Sequence, residues 1–280
     1  MFDIADHVLR RNAAPVPFAE TPNIGPKLNP EGIVLHDTAG RLDGRSSIAW
    51  LCDSRARASA HFVVGRDGDV TQLAPCDRQT WHAGRSSYRG RAGVNRFALG
   101  VEIVNPGRLE RVGRNAWRAW YGEVFKADGD IHVRQAVTPA HGDGWWMDYT
   151  AQQIAAVEGI CRALADTYAI RWIVAHWHVS PGRKVDTNPL FPLEAVRARV
   201  FGRDESGGEV APAAVRVTVD VNQRRWPSLN DNVIQVLPRD TSVEVIRFGT
   251  YSSEPWYLVS AEGSRGRHDG WVHGAYLDAG

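Results

Sequence analysis

Residues 32–36 read GIVLH, an apolar run with the length of a buried strand. Two similar runs follow along the chain, ALGVEIVN at 98–105 and WIVAH at 172–176. Between the runs at 32–36 and 98–105, IAWLCDSRA at 48–56 has apolar residues at helical spacing. HFVVGRDGDVTQLA at 61–74 holds two strand-like runs around an Asp-Gly turn. Strands mixed with helices and one hairpin predict an α/β domain, a mixed β-sheet flanked by helices.

The clearest predicted helix covers residues 150–169. Thr150 and Gln153 form a capping-box pair at its start. Apolar residues then recur along one face, at Ile154, Val157, Cys161, Leu164 and Tyr168. Residues 192–202, PLEAVRARVFG, predict a second, terminal helix.

The stretch 106–149 lacks any helical or strand period. It is rich in Trp and Tyr among many Gly and charged residues. We expect a long loop there, and a loop of this length inside a compact domain is usually functional or mobile.

The C-terminal part of the chain changes character. Residues 203–214, RDESGGEVAPAA, are polar, contain Gly and Pro, and predict a linker. Beyond them, short β-branched runs recur at regular spacing with turn residues between, which predicts a small all-β barrel. The predicted organisation is an α/β domain at 1–202, a linker at 203–215 and a β domain at 216–280.

Charge and hydropathy exclude two classes of protein. Of 280 residues, 33 are basic and 32 acidic, so the net charge of +1 does not fit a nucleic-acid binder. No window approaches the roughly 18 apolar residues of a membrane span. The first residues, MFDIADHVLRR, lack the pattern of a signal peptide, so we expect synthesis in the cytoplasm.

Three side chains at or beyond strand ends could hold a metal. His36 closes the run at 32–36, His176 closes WIVAH, and Asp186 follows ten residues later. Two imidazoles and one carboxylate, with a fourth position free, would form a catalytic zinc site. A competing pair exists, because His176 and His178 would point to one face of a continuing strand.

Glu102 and Lys184 are candidates for catalysis. Glu102 lies in an apolar strand, where a carboxylate is costly unless it is paired or used. Burial raises the pKa of such a group toward the range of a general base. Lys184 is one of three lysines among the 33 basic residues and stands two residues before Asp186, where it could stabilise an oxyanion.

Four blocks occur in the order of a known family: GIVLHDTAG, ASAHFVVGRDGDVTQLAP, TWHAGRSSYRGRAGVNRFALGVEIVN and VAHWHVSPGRKVDTNPLF. Through them the chain resembles the zinc-dependent N-acetylmuramoyl-L-alanine amidases. This superfamily includes phage lysozyme-type amidases, muropeptide-recycling amidases and peptidoglycan-recognition proteins. The resemblance covers about residues 30–200.

The resemblance implies roles for individual residues. His36, His176 and Asp186 match the zinc ligands, Glu102 the catalytic carboxylate, and Lys184 the lysine of the P-G-R-K turn. The implied reaction is hydrolysis of the amide between N-acetylmuramic acid and L-alanine. A water activated by zinc would attack, Glu102 would move its proton, and Lys184 with zinc would stabilise the oxyanion.

Trp81 and His82, in WHAG, match positions that line the substrate groove in this family. The chain also departs from the family pattern, with His178 where Asp or Asn is common and Asp37 where His or Tyr is frequent. The implied partner is peptidoglycan or its muropeptides. A non-catalytic peptidoglycan receptor is the alternative, but such receptors lose a zinc ligand and this chain keeps all three.

The segment 216–280 resembles a bacterial SH3-like domain. Its landmarks are N-x-R-x-x-P-S, a W-Y-x-V run and a G-W-V-x-x-x-Y-L ending. Domains of this kind often bind cell wall, which would raise the effective substrate concentration near the catalytic domain. We therefore expect action on the wall after release or export, as an endolysin or secreted effector, with cytoplasmic muropeptide recycling as the alternative.

Overall fold

A computed structural model describes residues 1–129, 131–138, 140–201, 215–225, 227, 229, 232–251, 254–263 and 266–278, with side chains 247–251 excluded. The predicted linker therefore lies outside the described residues apart from Val215, and part of the N-x-R-x-x-P-S landmark does too. The domain boundaries stay a prediction.

Up to residue 201 the strands are short and numerous. They are β1 Phe2–Ala5, β2 Val8–Arg11, β3 Ala14–Pro15, β4 Ile24–Lys27, β5 Gly32–Asp37, β6 Phe62–Val64, β7 Val70–Gln72, β8 Arg78–Thr80, β9 Ser87–Tyr88, β10 Arg91–Ala92, β11 Ala98–Ile103, β12 Arg108–Gly113, β13 Ala116–Ala119, β14 Val124–Lys126, β15 Val133–Thr138, β16 Gly142–Met147 and β17 Trp172–Ala175. The helices are α1 Arg45–Leu51, α2 Ala151–Thr167, α3 His176–Val179 and α4 Leu193–Phe201.

The central sheet has the order β17-β5-β11-β6-β7. Strands β17, β5, β11 and β6 are parallel, while β7 pairs antiparallel with β6 through the hairpin that the Asp-Gly turn predicts. The mixed sheet expected from the apolar runs is confirmed. Its parallel strands all end at one edge, where connecting loops can build a site.

The two faces of this sheet differ in what their side chains contact. On one face, Leu99, Val101 and Ile103 of β11 pack with Ile160 and Leu164 of α2 in the largest apolar cluster. Complete burial of each such side chain contributes roughly 1.5–3 kcal/mol to stability. Alternation puts the residues between these apolar ones on the opposite face, which can carry polar groups near the strand ends.

Helix α2 begins as the sequence predicts. The Thr150 Oγ1 accepts a hydrogen bond from the Gln153 N–H at 3.0 Å, and the Gln153 side chain accepts from the Thr150 N–H at 3.1 Å. The Thr150 hydroxyl also donates to the Arg66 carbonyl at 2.6 Å. The capping box therefore fixes the helix start and ties it to the 65–69 turn.

The prediction of a long loop at 106–149 is wrong. The described residues there form a five-stranded antiparallel sheet, β14-β13-β12-β16-β15. Strand β12 buries Leu109 alone and exposes most of its other side chains, and β14 buries Phe125 alone. Because each strand contributes so few buried residues to the shared cluster, the alternation is too short to read from the sequence.

The C-terminal part is a β-structure, as the spacing predicts. Its strands are β18 Val215–Val217, β19 Val221–Arg224, β20 Val233–Leu237, β21 Ser242–Tyr251, β22 Glu254–Gly263, β23 Gly266–His273 and β24 Leu277–Asp278. They form one sheet of order β20-β19-β23-β22-β21-β18-β24. Its likeness to SH3 domains stays a prediction. None of the described helices has the length and apolar character needed to cross a bilayer.

Replacing Thr150 with Ala should destabilise the catalytic domain. The variant loses the acceptor for the Gln153 N–H and the donor to the Arg66 carbonyl, so the free energy of unfolding should fall by about 1–2 kcal/mol. Urea unfolding followed by circular dichroism measures the change. Thr150→Ser keeps the hydroxyl and should stay close to wild type. Equal stability of the Ala variant and the wild type would contradict a stabilising cap.

Candidate active site

Three possible metal-binding atoms converge at the edge where the parallel strands end. His36 lies in β5, His176 is the first residue of α3, and Asp186 lies in the loop that follows. The Nδ1 atoms of His36 and His176 are 2.9 Å apart. The Asp186 Oδ2 lies 3.2 Å from the first and 2.9 Å from the second. The three residues that the sequence analysis proposed as metal ligands therefore do lie together in space.

The other ring nitrogens fix the tautomers of both imidazoles. The His176 Nε2 lies 3.3 Å from the Ala83 carbonyl, which can only accept, so that nitrogen carries the proton. The His82 Nε2 similarly faces the Ala98 carbonyl at 3.2 Å, which leaves the His82 Nδ1 as an acceptor for the His36 Nε2–H at 2.9 Å. Burial lowers the pKa of His36 to about 4, so this ring is neutral near pH 7.

These tautomers leave lone pairs, not protons, at the point of convergence. Two imidazole Nδ1 lone pairs and one carboxylate oxygen would repel one another at about 3 Å without a cation between them. Tetrahedral zinc with bonds of roughly 2.0–2.1 Å places its ligands about 3.3–3.4 Å apart, close to the separations here. The residues present therefore fit a bound divalent metal.

His178 does not belong to this cluster. Strand β17 ends at Ala175, and His176–Val179 form a helical turn, so the strand alternation that made His176 and His178 a candidate pair does not exist. The His178 Nδ1 accepts from the Ala175 N–H at 3.2 Å, and its ring stacks on Trp177. Its contacts support the turn that begins with His176.

Glu102 lies beside the metal-binding cluster. In the parallel register of β11 and β5, Glu102 is the partner of His36, so the two side chains share a sheet face. Burial raises the pKa of Glu102 well above its ordinary value, and the negative charges of Asp186 and Asp37 add to the effect, while Lys184 opposes it. Within the described residues no hydrogen bond or ion pair holds this carboxylate.

Lys184 lines the same cleft from the loop that also carries Asp186. The Arg183 guanidinium holds this loop by donating to the Ala83 carbonyl at 2.7 Å and to the Ser180 Oγ at 2.7 Å. The Lys184 N–H donates to the Ser180 carbonyl at 3.0 Å. Its backbone is therefore anchored, while its side chain is exposed to the cleft.

Asp37 is a site residue whose role the sequence did not reveal. Its carboxylate accepts from the Tyr149 hydroxyl at 2.5 Å and from the Asn188 N–H at 2.8 Å. Asn188 follows Asp186 by two residues, so Asp37 ties the strand of His36 to the loop of Asp186. Burial raises the pKa of Asp37 to about 7, although the Tyr149 hydrogen bond opposes this shift.

His82 and Trp81 differ in their surroundings. His82 is buried behind His36 and orients it, and it also lines the cleft. Trp81 is half-exposed and is absent from the described residues that line the cleft. A Cβ at Gly100 would lie 2.5 Å from the His82 Cγ, so the glycine on β11 is what admits the imidazole. A role in substrate binding stays a prediction for both residues.

The cleft above the cluster has a volume of about 770 Å³. This size lies within the range of small-molecule sites, roughly 300–1,000 Å³. Its buried base holds His36, His176 and Asp186. Its walls include Arg108 and Trp120, which belong to β12 and to the turn between β13 and β14 in the five-stranded sheet β14-β13-β12-β16-β15, the inserted sheet. A bound amide could therefore meet a metal, a carboxylate with a raised pKa and an ammonium group in one space.

Removing the His82 imidazole should weaken metal binding. The His36 Nε2–H would lose its acceptor, and loss of such an orienting partner typically costs about 10–100-fold in metal affinity. Gly100→Ala should act in the same direction by displacing the His82 ring. Competition with a chromophoric chelator measures zinc affinity, and exposed His132 supplies the control variant His132→Ala. Wild-type affinity in both His82→Ala and Gly100→Ala would overturn the orienting role.

Comparison with known proteins places this constellation in a family. A family model described as N-acetylmuramoyl-L-alanine amidase matches residues 26–189. The chain is 30% identical over 163 residues to the 1,6-anhydro-N-acetylmuramyl-L-alanine amidase AmpD of Escherichia coli K12, covering 58% of this chain and 68% of that protein. It is 27% identical over 179 residues to the N-acetylmuramoyl-L-alanine amidase AmiD of the same organism, covering 61% and 53%.

Among solved structures, the chain is similar to E. coli AmiD in complex with the substrate anhydro-N-acetylmuramic acid-L-Ala-D-γ-Glu-L-Lys. The TM-score is 0.45 at 23% identity, covering 71% of this chain and 65% of that one. Since the family match spans more than half of its residues, the chain belongs to the N-acetylmuramoyl-L-alanine amidase family and is an enzyme of that kind.

Proposed function

We propose that the chain is a zinc hydrolase that cleaves the amide bond between N-acetylmuramic acid and L-alanine in peptidoglycan. One observation carries the proposal: two imidazole lone pairs and a carboxylate oxygen converge within 3.2 Å, beside Glu102 and beneath an open cleft. Membership of the amidase family supports the same bond.

The donor set favours zinc over other divalent metals. Two imidazoles and one carboxylate are the ligands of several catalytic zinc sites, whereas magnesium and calcium prefer oxygen donors alone. His36, His176 and Asp186 would hold the ion. When bound, zinc supplies Lewis-acid chemistry that polarises the scissile carbonyl and makes a water more acidic.

Glu102 would act as the general base and then as the general acid. The raised pKa of Glu102 means that its carboxylate binds a proton more strongly than an ordinary glutamate does, as general base catalysis near neutral pH requires. Because no hydrogen bond or ion pair among the described residues holds it, the carboxylate is available to take a proton from the attacking water. It can then return that proton to the amine of L-alanine as the C–N bond breaks.

Lys184 would stabilise the oxygen that becomes negative during attack. Lys184 lines the cleft on the same loop as Asp186, and its ammonium would bring a positive charge to the reacting carbonyl. Electrostatic stabilisation of this kind is often the largest single contribution to acyl-transfer catalysis. Anchoring by Arg183 keeps the loop in place before substrate arrives.

The substrate is peptidoglycan or its muropeptides. The name of the similar AmpD protein specifies a 1,6-anhydro-muramyl substrate, and a small soluble muropeptide would fit the cleft here. The additional β domain favours polymer, because a wall-binding module would concentrate the enzyme on it. We therefore propose that the enzyme acts on wall material after release or export, with cytoplasmic muropeptide recycling as the alternative. Digests of the polymer compared with digests of anhydro-muropeptides would distinguish the two.

Glu102→Gln should abolish hydrolysis and keep the metal. The amide cannot accept the proton of water, and loss of general base catalysis costs about 10²–10⁴-fold in rate. Mass spectrometry of stem peptides released from purified peptidoglycan measures the reaction, and elemental analysis measures bound zinc. Glu110→Gln, at an exposed position of the inserted sheet, is the matched control. Near wild-type turnover in Glu102→Gln would sink the assignment.

Chelation should stop stem-peptide release, and zinc should restore it. The matched variants His176→Gln and His178→Gln separate the ligand from its neighbour two residues away. We expect His176→Gln to lose zinc stoichiometry because it removes one of three donor atoms. His178→Gln should retain zinc. The opposite pattern of metal content would contradict the ligand set.

A further inference from the structure

Two tryptophans line the cleft and yet remain widely exposed. Trp50 is 58% exposed and Trp120 is 77% exposed, and both line the cleft that also holds the metal-binding cluster. Large apolar rings exposed together at one site usually mark a ligand-binding surface. The catalytic steps proposed above use neither of them.

Trp120 is held in a fixed orientation despite its exposure. Its indole Nε1–H donates to the Ala39 carbonyl at 2.7 Å. The next residue, Tyr121, donates its hydroxyl to the Gly40 carbonyl at 2.8 Å, and Arg41 forms an ion pair with Glu123 at 2.9 Å. The turn between β13 and β14 is therefore fastened to the segment that follows His36.

Trp50 comes from a different element. On α1, Ile48 and Leu51 pack into an apolar cluster, so the exposed Trp50 lies away from that core. Ser46 and Ser47 of the same helix also line the cleft. The hydroxyl groups of Ser46 and Ser47 and the exposed ring of Trp50 thus come from one short helix that lines the cleft.

We propose that Trp50 and Trp120 form a subsite for the glycan strand on either side of the muramyl residue whose amide is cut. This inference rests on the proposed function. A pyranose ring offers a C–H face that can stack on an indole and hydroxyl edges that can bond to side chains such as Ser46 and Ser47. A peptide would use the backbone and pockets of the cleft instead of open aromatic faces.

The position of the two rings explains why they would read sugar beyond the reacting residue. The metal-binding atoms lie at the buried base of the cleft, where the scissile amide must reach them. The two rings line the same cleft but are largely exposed to solvent, so they can meet parts of the substrate that extend outward. Because the Trp120 ring is already ordered, stacking costs little conformational entropy.

The experiment compares three substrates that contain the same amide bond: N-acetylmuramoyl-L-alanyl-D-isoglutamine with one sugar, its disaccharide analogue with an added N-acetylglucosamine, and purified peptidoglycan. Trp120→Ala should raise KM about 3- to 10-fold on the disaccharide and polymer, the size expected for one aromatic contact. On the one-sugar substrate both KM and kcat should stay within about twofold. Trp120→Phe keeps an aromatic face and should recover most of the affinity.

Val124→Ala is the matched control, since Val124 lies on β14 just after the same turn and is 50% exposed without lining the cleft. Equal losses on all three substrates, or no loss on any, would overturn the glycan subsite while leaving the proposed hydrolase intact. A change in sedimentation with unaltered KM would also overturn it, because Trp120 would then serve a protein interface. If the wild type cleaves none of the three, the proposed function itself fails.

Discussion

Parallel pairing of β11 with β5 sets Glu102 directly beside His36. Side-chain alternation makes this placement a consequence of the core, because Leu99, Val101 and Ile103 must all face α2 for Glu102 to face the cleft. A slip of one residue would bury the carboxylate against the helix and expose the apolar side chains. The apolar packing on one face of the sheet therefore decides the catalytic geometry on the other.

Backbone carbonyls complete the arrangement. The Ala98 and Ala83 carbonyls accept from the outer nitrogens of His82 and His176. These bonds direct lone pairs to the point where the metal is expected. Because the acceptors are backbone carbonyls, the orientation of these imidazoles depends more on the path of the backbone than on the identity of the residues that supply the carbonyls. The exception is Gly100, where any side chain would occupy the space of the His82 ring.

The sequence predicts the parts of this site that lie on or next to regular strands. His36, Glu102 and His176 follow from apolar runs with a polar residue near or at the end, and the α2 cap follows from Thr150 and Gln153. Choosing Asp186 and rejecting His178 needed the family resemblance, because a helical turn at 176–179 replaces the strand that would have paired the two histidines.

Other contributions could not be read from the chain. The hydrogen bonds of Asp37 join residues more than 100 positions apart, and no local pattern encodes them. The inserted sheet was missed for another reason, since each of its strands buries at most two side chains. Short strands that share a small aromatic cluster leave almost no periodic signal, even where their turns are ordered.

The inserted sheet contacts the loop of Asp186 and also forms part of the cleft wall. Its His141 Nε2–H donates to the Thr187 carbonyl at 2.9 Å, next to Asp186. At the opposite end of the sheet, Trp120 donates to the Ala39 carbonyl, three residues after His36. A sheet with so small an apolar cluster gains stability from this docking. These two hydrogen bonds thus connect the wall proposed to bind glycan with the segments next to His36 and Asp186.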